Sequence, residues 1–249
     1  MQPIGHAIVR LDSVPSTNTL VLGREDYLSR HGLVVIARHQ TAGRGRLGRV
    51  WASLPGAQLQ FSVVIHPRLP LAEVPVVALV AGLAVAQALV EALALRPRLK
   101  WPNDVLLGGR KVCGILAESK ADASGAPRLV VGIGVNCGGT AGDFPPELRG
   151  TVTTLAEAGG RPVDNEAVLQ AILRRLEALL ARVEGGEKAG VLADWSALAD
   201  SVGRRVRFPT PAGPVEGTIA GLTPDGALLA QDDAGRSHVL VSSELEWLG

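Results

Sequence analysis

Residues 4–11, mostly apolar around Ala7-Ile8-Val9, read as a strand. Ser16 or Thr17 then caps an amphipathic stretch that runs to His31. A serine or threonine at such a place accepts a hydrogen bond from an otherwise orphaned backbone N–H, and Gly32 supplies the stop. Residues 33–38 predict a short buried strand, residues 40–56 a polar loop studded with glycine, and residues 59–66 a returning strand. The Ala/Val/Leu-rich run 71–95 predicts a helix buried against a sheet, with Pro75 in its first turn, where a missing N–H costs nothing. Residues 99–107 and 111–119 flank Gly108-Gly109, a two-residue hairpin signal. Residues 129–136 give a further strand, followed by a Gly/Pro-rich loop to Gly150. Residues 165–183 have helical periodicity with charges on one face, and 191–199 predict a last short helix.

Beyond Ser201 the pattern changes. Short apolar runs at 204–208, 215–222, 227–231 and 238–241 are separated by Pro-Ala-Gly-Pro, Pro-Asp-Gly and Asp-Ala-Gly. Closely spaced strands with tight turns predict a small β-barrel. The expected boundary lies at 200–203, giving units 1–200 and 201–249.

Composition narrows the function classes. Hydrophobic residues make up 47% and charged residues 20%, ordinary globular usage that supports a core. The formal net charge of +1 argues against a general nucleic-acid or membrane surface. The most lipid-like run, 74–86, contains Pro75 and falls short of the roughly 20 residues a span needs. Cys113 and Cys137 lie in apolar stretches without metal-ligand spacing, and no secretory signal opens the chain, so a cytoplasmic protein is expected. Lysine is scarce, with only Lys100, Lys111, Lys120 and Lys188. A lysine beside a glycine-rich site therefore draws notice, because a compact ammonium acts differently from a guanidinium.

Three clusters carry candidate chemistry. In the first, Gln40-Thr-Ala-Gly-Arg-Gly-Arg-Leu-Gly-Arg-Val-Trp51, Gly43, Gly45 and Gly48 interleave with Arg44, Arg46 and Arg49. Glycines let backbone N–H groups approach an anion, and arginines grip phosphate oxygens in bidentate fashion. A solvated basic loop or an RNA-binding segment would also use this composition, whereas the P-loop pattern is missing. In the second cluster, Lys100-Trp-Pro-Asn-Asp104 and Arg110-Lys111-Val-Cys-Gly114 flank the glycine turn, so a hairpin would present Asn103, Asp104 and Lys111 together. A surface ion pair is the plainer reading of a lone lysine and carboxylate, but the rigid Trp-Pro-Asn-Asp turn weakens it. The third, Val131-Gly-Ile-Gly-Val-Asn136, places glycines in a strand, where a ligand or another backbone comes close; sheet packing alone would explain them too.

Taken together and in order, these residues resemble the biotin protein ligase family. The resemblance covers Ser-Thr-Asn near the start, Gly-Arg-Gly-Arg-x-Gly-Arg-x-Trp, Lys-Trp-Pro-Asn-Asp, Lys-x-x-Gly-Ile-Leu, Gly-Ile-Gly-x-Asn, the Trp195 region and the C-terminal barrel. It implies an α+β fold: a mixed β-sheet with helices on one side, as in class II synthetases and biotin/lipoate ligases, followed by an SH3-like barrel. It implies activation of biotin by ATP to biotinyl-5′-AMP, then transfer to a lysine of a biotin carboxyl carrier protein. By the same resemblance Ser16, Thr17, Asn18, Gln40, Gly43 and Gly114 belong to the biotin pocket. Arg44, Gly45 and Arg46 belong to a loop closing over biotin and phosphates, and Lys111 sits by the biotin carboxylate and α-phosphate. Arg46, Arg49, Trp51, Asn103, Lys111, Gly134 and Asn136 fall to ATP, and Asp104 assists the incoming lysine or holds Lys111. No residue is assigned to a metal, since Mg2+ travels with ATP.

Some family members carry an N-terminal helix-turn-helix that represses transcription. Only about fifteen residues precede Ser16, so a monofunctional ligase without specific DNA or membrane binding is expected, compatible with a homodimer. Leu47 departs from the polar or basic residue usual at its position, and the 138–150 loop offers Phe144 as its only aromatic, which leaves the adenine-stacking residue open. A lipoate or octanoyl ligase of the same fold is the nearest alternative. A non-catalytic nucleic-acid-binding module is the alternative from another class.

Overall fold

The computed structural model describes residues 2–70, 73–122, 124–199, 201–241 and 245–248. Its larger sheet has seven strands: β1 (Ala7–Val14), β2 (Leu33–Gln40), β3 (Gln58–Ile65), β4 (Arg98–Lys100), β5 (Asp104–Leu107), β6 (Arg110–Ala121) and β7 (Pro127–Asn136). Their spatial order is β1-β2-β3-β7-β6-β5-β4. β1 and β2 pair in parallel and the rest antiparallel, so the sheet is mixed, as expected.

The helices are α1 (Thr17–Leu22), α2 (Glu25–Leu28), α3 (Val76–Leu93), α4 (Leu155–Gly159), α5 (Asn165–Arg182) and α6 (Lys188–Ala199). β3 shows how the sheet separates two environments. Successive side chains of a strand point to opposite faces. Leu59, Phe61, Val63 and Ile65 join the main core under α3 and α5, while Gln58, Gln60 and Ser62 alternate with them and are buried on the other side. Among the described residues α3 alone is long and apolar enough to cross a membrane, yet its buried residues run right round the helix, against the sheet and α5. A helix apolar on every face belongs inside a core of this kind.

Several sequence expectations change here. Helices are not confined to one side: α1 and α2 cover a corner of the opposite face, where Val21 and Leu28 pack on Leu33, Val35, Val64 and Val130. The stretch to His31 is two short helices because Gly23 ends α1 and Arg24 turns extended before α2. Glycine is the poorest helix former after proline, so the break falls there. Pro75 caps α3 rather than lying in its first turn, and Leu71 and Ala72 of the expected helix lie outside the described residues. The single strand expected over 99–107 is β4 and β5, folded back on each other at Trp101-Pro102-Asn103 through a cis peptide before Pro102.

The second sheet contains β8 (Arg205–Thr210), β9 (Gly213–Leu222), β10 (Leu228–Asp232), β11 (Ser237–Leu240) and β12 (Glu246–Trp247), ordered β11-β10-β9-β8-β12 and wholly antiparallel. It is the SH3-like unit, with β12 added to the four strands read from sequence. Asp200, at the expected boundary, lies outside the described residues. The two sheets share one apolar core that runs from α3 to Phe208, Ile219 and Leu228. Trp101 Nε1 donates to Gly226 O at 3.2 Å, and Lys188 of α6 bonds both Glu73 and Asp225. The barrel thus sits against the β4–β5 turn.

Candidate active site

Glycines clear the floor of the site. Gly114 on β6 lies opposite Gly134 on β7, which in turn faces Gln60 on β3. A methyl group at Gly132 would meet Asn18 Oδ1 at 2.5 Å, and one at Gly134 would meet the Trp51 ring at 2.6 Å. The strand glycines therefore admit Asn18 and Trp51 onto the sheet.

Above β3 stands a buried polar network. Thr17 donates from its N–H and hydroxyl to Gln40 Oε1 at 2.8 and 3.3 Å, and Gln40 Nε2 donates to Gln60 Oε1 at 3.0 Å. Ser62 Oγ lies 2.7 Å from Thr17 Oγ1 and 2.6 Å from Asn18 Oδ1. Asn18 Nδ2 donates to Leu116 O at 3.0 Å and Glu118 Oε2 at 2.9 Å, and Ser16 caps α1. Networks of this kind are rigid when every member has a partner.

Charge gathers over β6, β5 and β4. Lys111 Nζ is 2.6 Å from Asp104 Oδ1, and its ammonium lies 5.8 Å from the Trp51 ring centroid. The Lys111 backbone is fixed from a second side, its N–H donating to Thr151 O and its carbonyl accepting from Thr153 N. Lys100 lies directly opposite Asp104 in the β4–β5 pairing. Burial, reinforced by Lys111, Arg49 and Arg204, pushes its ammonium below the ordinary lysine value, with Asp104 opposing. Asn103 donates to Ile115 O at 2.8 Å and accepts from Arg46 at 3.4 Å, so it ties both the turn and the loop to β6. Arg44 reaches Glu118 at 2.6 Å and Thr19 at 3.1 Å.

These parts enclose one cleft of about 370 Å³, within the range of small-molecule sites. It brings together Ser16, Thr17, Asn18, Gln40, Arg44, Gly45, Arg46, Arg49, Trp51, Asn103, Asp104, Lys111, Gly114 and Gly134. Two expected residues are not on its wall. Gly43 packs behind it, where a methyl group would meet Trp51 O at 2.7 Å. Asn136 is buried and bonded to Gln58 and Thr153 O, so it braces the end of β7. Sequence reasoning missed Lys100, Trp101 and Gly132 in the lining and Gln60, Ser62 and Glu118 behind it. The alternation Gln58-Leu-Gln-Phe-Ser62 carried a signal, since buried polar residues every second position in a strand mark one special face.

Comparison with known proteins gives this geometry its family. Residues 11–136 match the model of the biotin/lipoate A/B protein ligase family, and residues 202–244 match that of the biotin protein ligase C-terminal domain. The bifunctional ligase/repressor BirA of Bacillus subtilis is 32% identical over 243 residues, 98% of this chain and 74% of BirA. The chain belongs to the biotin/lipoate A/B protein ligase family. The biotin--[acetyl-CoA-carboxylase] ligase of Mycobacterium tuberculosis is 36% identical over 222 residues, 86% of this chain and 78% of that one. Among solved structures, the biotin protein ligase of Aquifex aeolicus in complex with biotin and ATP superposes with TM-score 0.84 at 30% identity, covering 98% of this chain and 100% of that one. The Leishmania major biotin protein ligase in complex with biotinyl-5-AMP superposes with TM-score 0.66 at 27% identity, over 94% of this chain and 98% of that one. With the C-terminal domain also of the biotin type, this family member is an enzyme of biotin attachment.

Proposed function

We propose that the chain joins biotin to a carboxylase carrier domain in two steps within this one cleft. The observation that carries the reading is convergence: the polar network, Lys111 and the arginine-glycine loop, far apart in sequence, line a single cleft. The hydroxyl and amide groups around Thr17, Asn18 and Gln40 suit the ureido ring of biotin, and its carboxylate extends toward Lys111. That carboxylate attacks the α-phosphorus of ATP, forming biotinyl-5′-AMP and expelling pyrophosphate. Lys111 counters the charge gathering on both anions, an effect typically worth about 3–4 kcal/mol in the transition state. Asp104 holds its ammonium in place. In the second step the neutral carrier lysine amine attacks the acyl carbon, the acyl–oxygen bond to the phosphate breaks, AMP leaves, and the amine's proton passes to the departing phosphate or to water.

Arg44 and Arg46, on a loop with Gly45 and Gly48, cover the adenylate and keep water away, as a closing loop can. Trp51, on its glycine floor, and Arg49 serve the nucleotide side. Among the described residues no group of three or more His, Cys, Asp or Glu side chains could hold a metal. A Mg2+ ion arriving on the triphosphate would need no protein ligand set of its own and would supply charge neutralisation there. The division at 200–203 separates a catalytic unit from a barrel that abuts it. A cytoplasmic place of work fits Cys113 and Cys137, buried thiols, the latter pushed up to about 12 by burial and suited to staying reduced.

The test is incubation with labelled biotin, ATP and a biotin carrier domain, with lipoate and octanoate as rival acids. Label should enter the carrier lysine only with biotin and ATP. Transfer of lipoate or octanoate instead of biotin would overturn the reading.

A further inference from the structure

Gln40 turns one hydrogen-bonding polarity toward the cleft, and residues behind the wall decide which. A glutamine amide can face a ligand with a donor or with an acceptor, and its two ends differ little in shape. Here one fixed donor settles the choice. The backbone N–H of Thr17 can only donate, and it lies 2.8 Å from the Gln40 side chain, so the atom it meets is Oε1. Thr17 Oγ1 donates to the same oxygen at 3.3 Å. Gln40 Nε2 is then the atom turned to Gln60, 3.0 Å away. Gln60 answers with Oε1, and its own Nε2 donates onward to Ser53 Oγ at 2.8 Å. The Gln40 backbone N–H donates to that hydroxyl as well, at 3.1 Å.

Ser53 Oγ thus receives two N–H groups, which directs its single proton to His39 Nδ1, 3.1 Å away. The chain runs one way, from Thr17 through Gln40, Gln60 and Ser53 to His39, and bonds aligned in this manner polarise one another. The consequence lies at the cleft. Both Thr17 groups occupy Gln40 Oε1, whereas one Nε2 N–H of Gln40 has no partner among the described residues. Gln40 lines the cleft, while Gln60, Ser53 and His39 stand behind it. The Ser53 backbone is held without its hydroxyl, because Gln58 donates to Ala52 O at 2.9 Å and accepts from Leu54 N–H at 2.8 Å. Resting on the biotin-activating reading above, we propose that Ser53 and His39 are positioning residues for biotin. They hold Gln40 with an N–H, and not its oxygen, toward the cleft, where the acceptor oxygen of a ureido carbonyl fits.

The ligand can be varied as well as the protein. 2-Iminobiotin carries a protonated imino group in place of the carbonyl oxygen near neutral pH, so it offers donors where biotin offers an acceptor. Ser53→Ala removes the acceptor of the Gln60 amide and the Gln40 N–H, and frees both side-chain amides to turn. It should raise the KM for biotin in biotin-dependent ATP–pyrophosphate exchange about five- to a hundredfold, the range for stranded buried donors. The kcat and the KM for ATP should hold, as for a loss confined to binding. The preference for biotin over 2-iminobiotin, read as a ratio of dissociation constants, should narrow. His39→Leu, which leaves Ser53 and both of its N–H donors in place, should shift the biotin KM the same way by less. It carries the same test if Ser53→Ala melts well below the wild type. An unchanged biotin KM, an equal rise in the ATP KM, or an unchanged preference over 2-iminobiotin would overturn the assignment. Absence of biotin-dependent exchange in the wild type would instead remove the biotin-activating reading itself.

Discussion

Gly134→Ala tests whether the strand glycines exist to seat Trp51. The backbone permits the change, since Gly134 is not among the glycines with positive φ. The obstacle is space: the added methyl would stand 2.6 Å from Cε2 and Cζ2 of Trp51. Carbon atoms at rest sit about 3.5–4.0 Å apart, so the ring must withdraw by about 1 Å. Its own backbone cannot follow easily, because Trp51 N donates to Gly43 O at 2.9 Å and a close glycine lies behind it. Overpacking of this kind costs about 1–3 kcal/mol. For a chain of this length that lowers the melting midpoint by about 2–12 °C. The larger effect should fall on chemistry. Trp51 lies against Lys111, and a misplacement of about 1 Å at a reacting centre can cost about a hundredfold. Biotin-dependent ATP–pyrophosphate exchange measures the rate and a thermal melt measures the fold. Gly114→Ala is the companion, meeting the flexible Lys111 tip and the Trp51 ring at 3.1 Å, and it should cost less stability. Wild-type exchange and an unshifted midpoint in Gly134→Ala would show that the ring is not seated as described.

Lys111→Ala should lose about a hundred- to a thousandfold in exchange rate while folding normally, as expected for one fixed cation at a developing anion; near wild-type exchange would remove Lys111 from the mechanism. Arg44→Ala should release biotinyl-5′-AMP faster and raise random lysine biotinylation on a bystander protein, and retention as long as in wild type would refute the covering loop. Acid should find the enzyme through two turn aspartates. Hydrogen bonds from Ser124 and Ala126, with Arg128, hold the Asp122 carboxyl at about 2, and His238 and Arg236 hold that of Asp232 lower still. Carboxyls lowered on folding stabilise above the ordinary value near 4, and that contribution is lost as pH falls through the folded values. An acid melt series below pH 4 should therefore be shallower for Asp232→Asn than for wild type, and equal slopes would count against this origin.

Much of the fold was legible because its elements announce themselves locally. The apolar run of α3, the 3.6-residue period of α5 and the turn-punctuated strands of the barrel each agree with their tertiary place. What was not legible depended on partners distant in sequence. The Trp-Pro-Asn-Asp turn was readable from its residues, but not that Trp101 would bond Gly226 of the barrel. β12 contains two residues, too few to carry a period. In the site, the arginine-glycine loop and Lys111 were readable from motif chemistry, whereas no motif singles out Glu118. Only the fold brings it to Asn18 and Arg44. Asn136 shows the converse: the resemblance assigned it to ATP, and the fold buries it on Gln58 and Thr153.

The proposed covering loop is held at Arg44 by a contact weak enough to exchange for a ligand. Arg44 and Glu118 form a pair whose side chains are 46% and 21% exposed, and pairs of that exposure contribute at most about 1 kcal/mol. At the tip, Leu47 has φ 54° and is exposed, a conformation costing about 1–2 kcal/mol for a side chain with a Cβ, while Gly48 takes φ 75° without strain. On the proposed reading a phosphate or adenylate would offer the arginines a bidentate anion in a drier place, where attraction between charges is stronger than at the exposed Glu118 pair. The balance therefore tips toward the ligand when it is bound and back toward Glu118 when it leaves. Glu118 also holds Asn18 through its second oxygen. Moving Arg44 would thus leave the polar network with its carboxylate partner, as the proposed covering role of the loop requires.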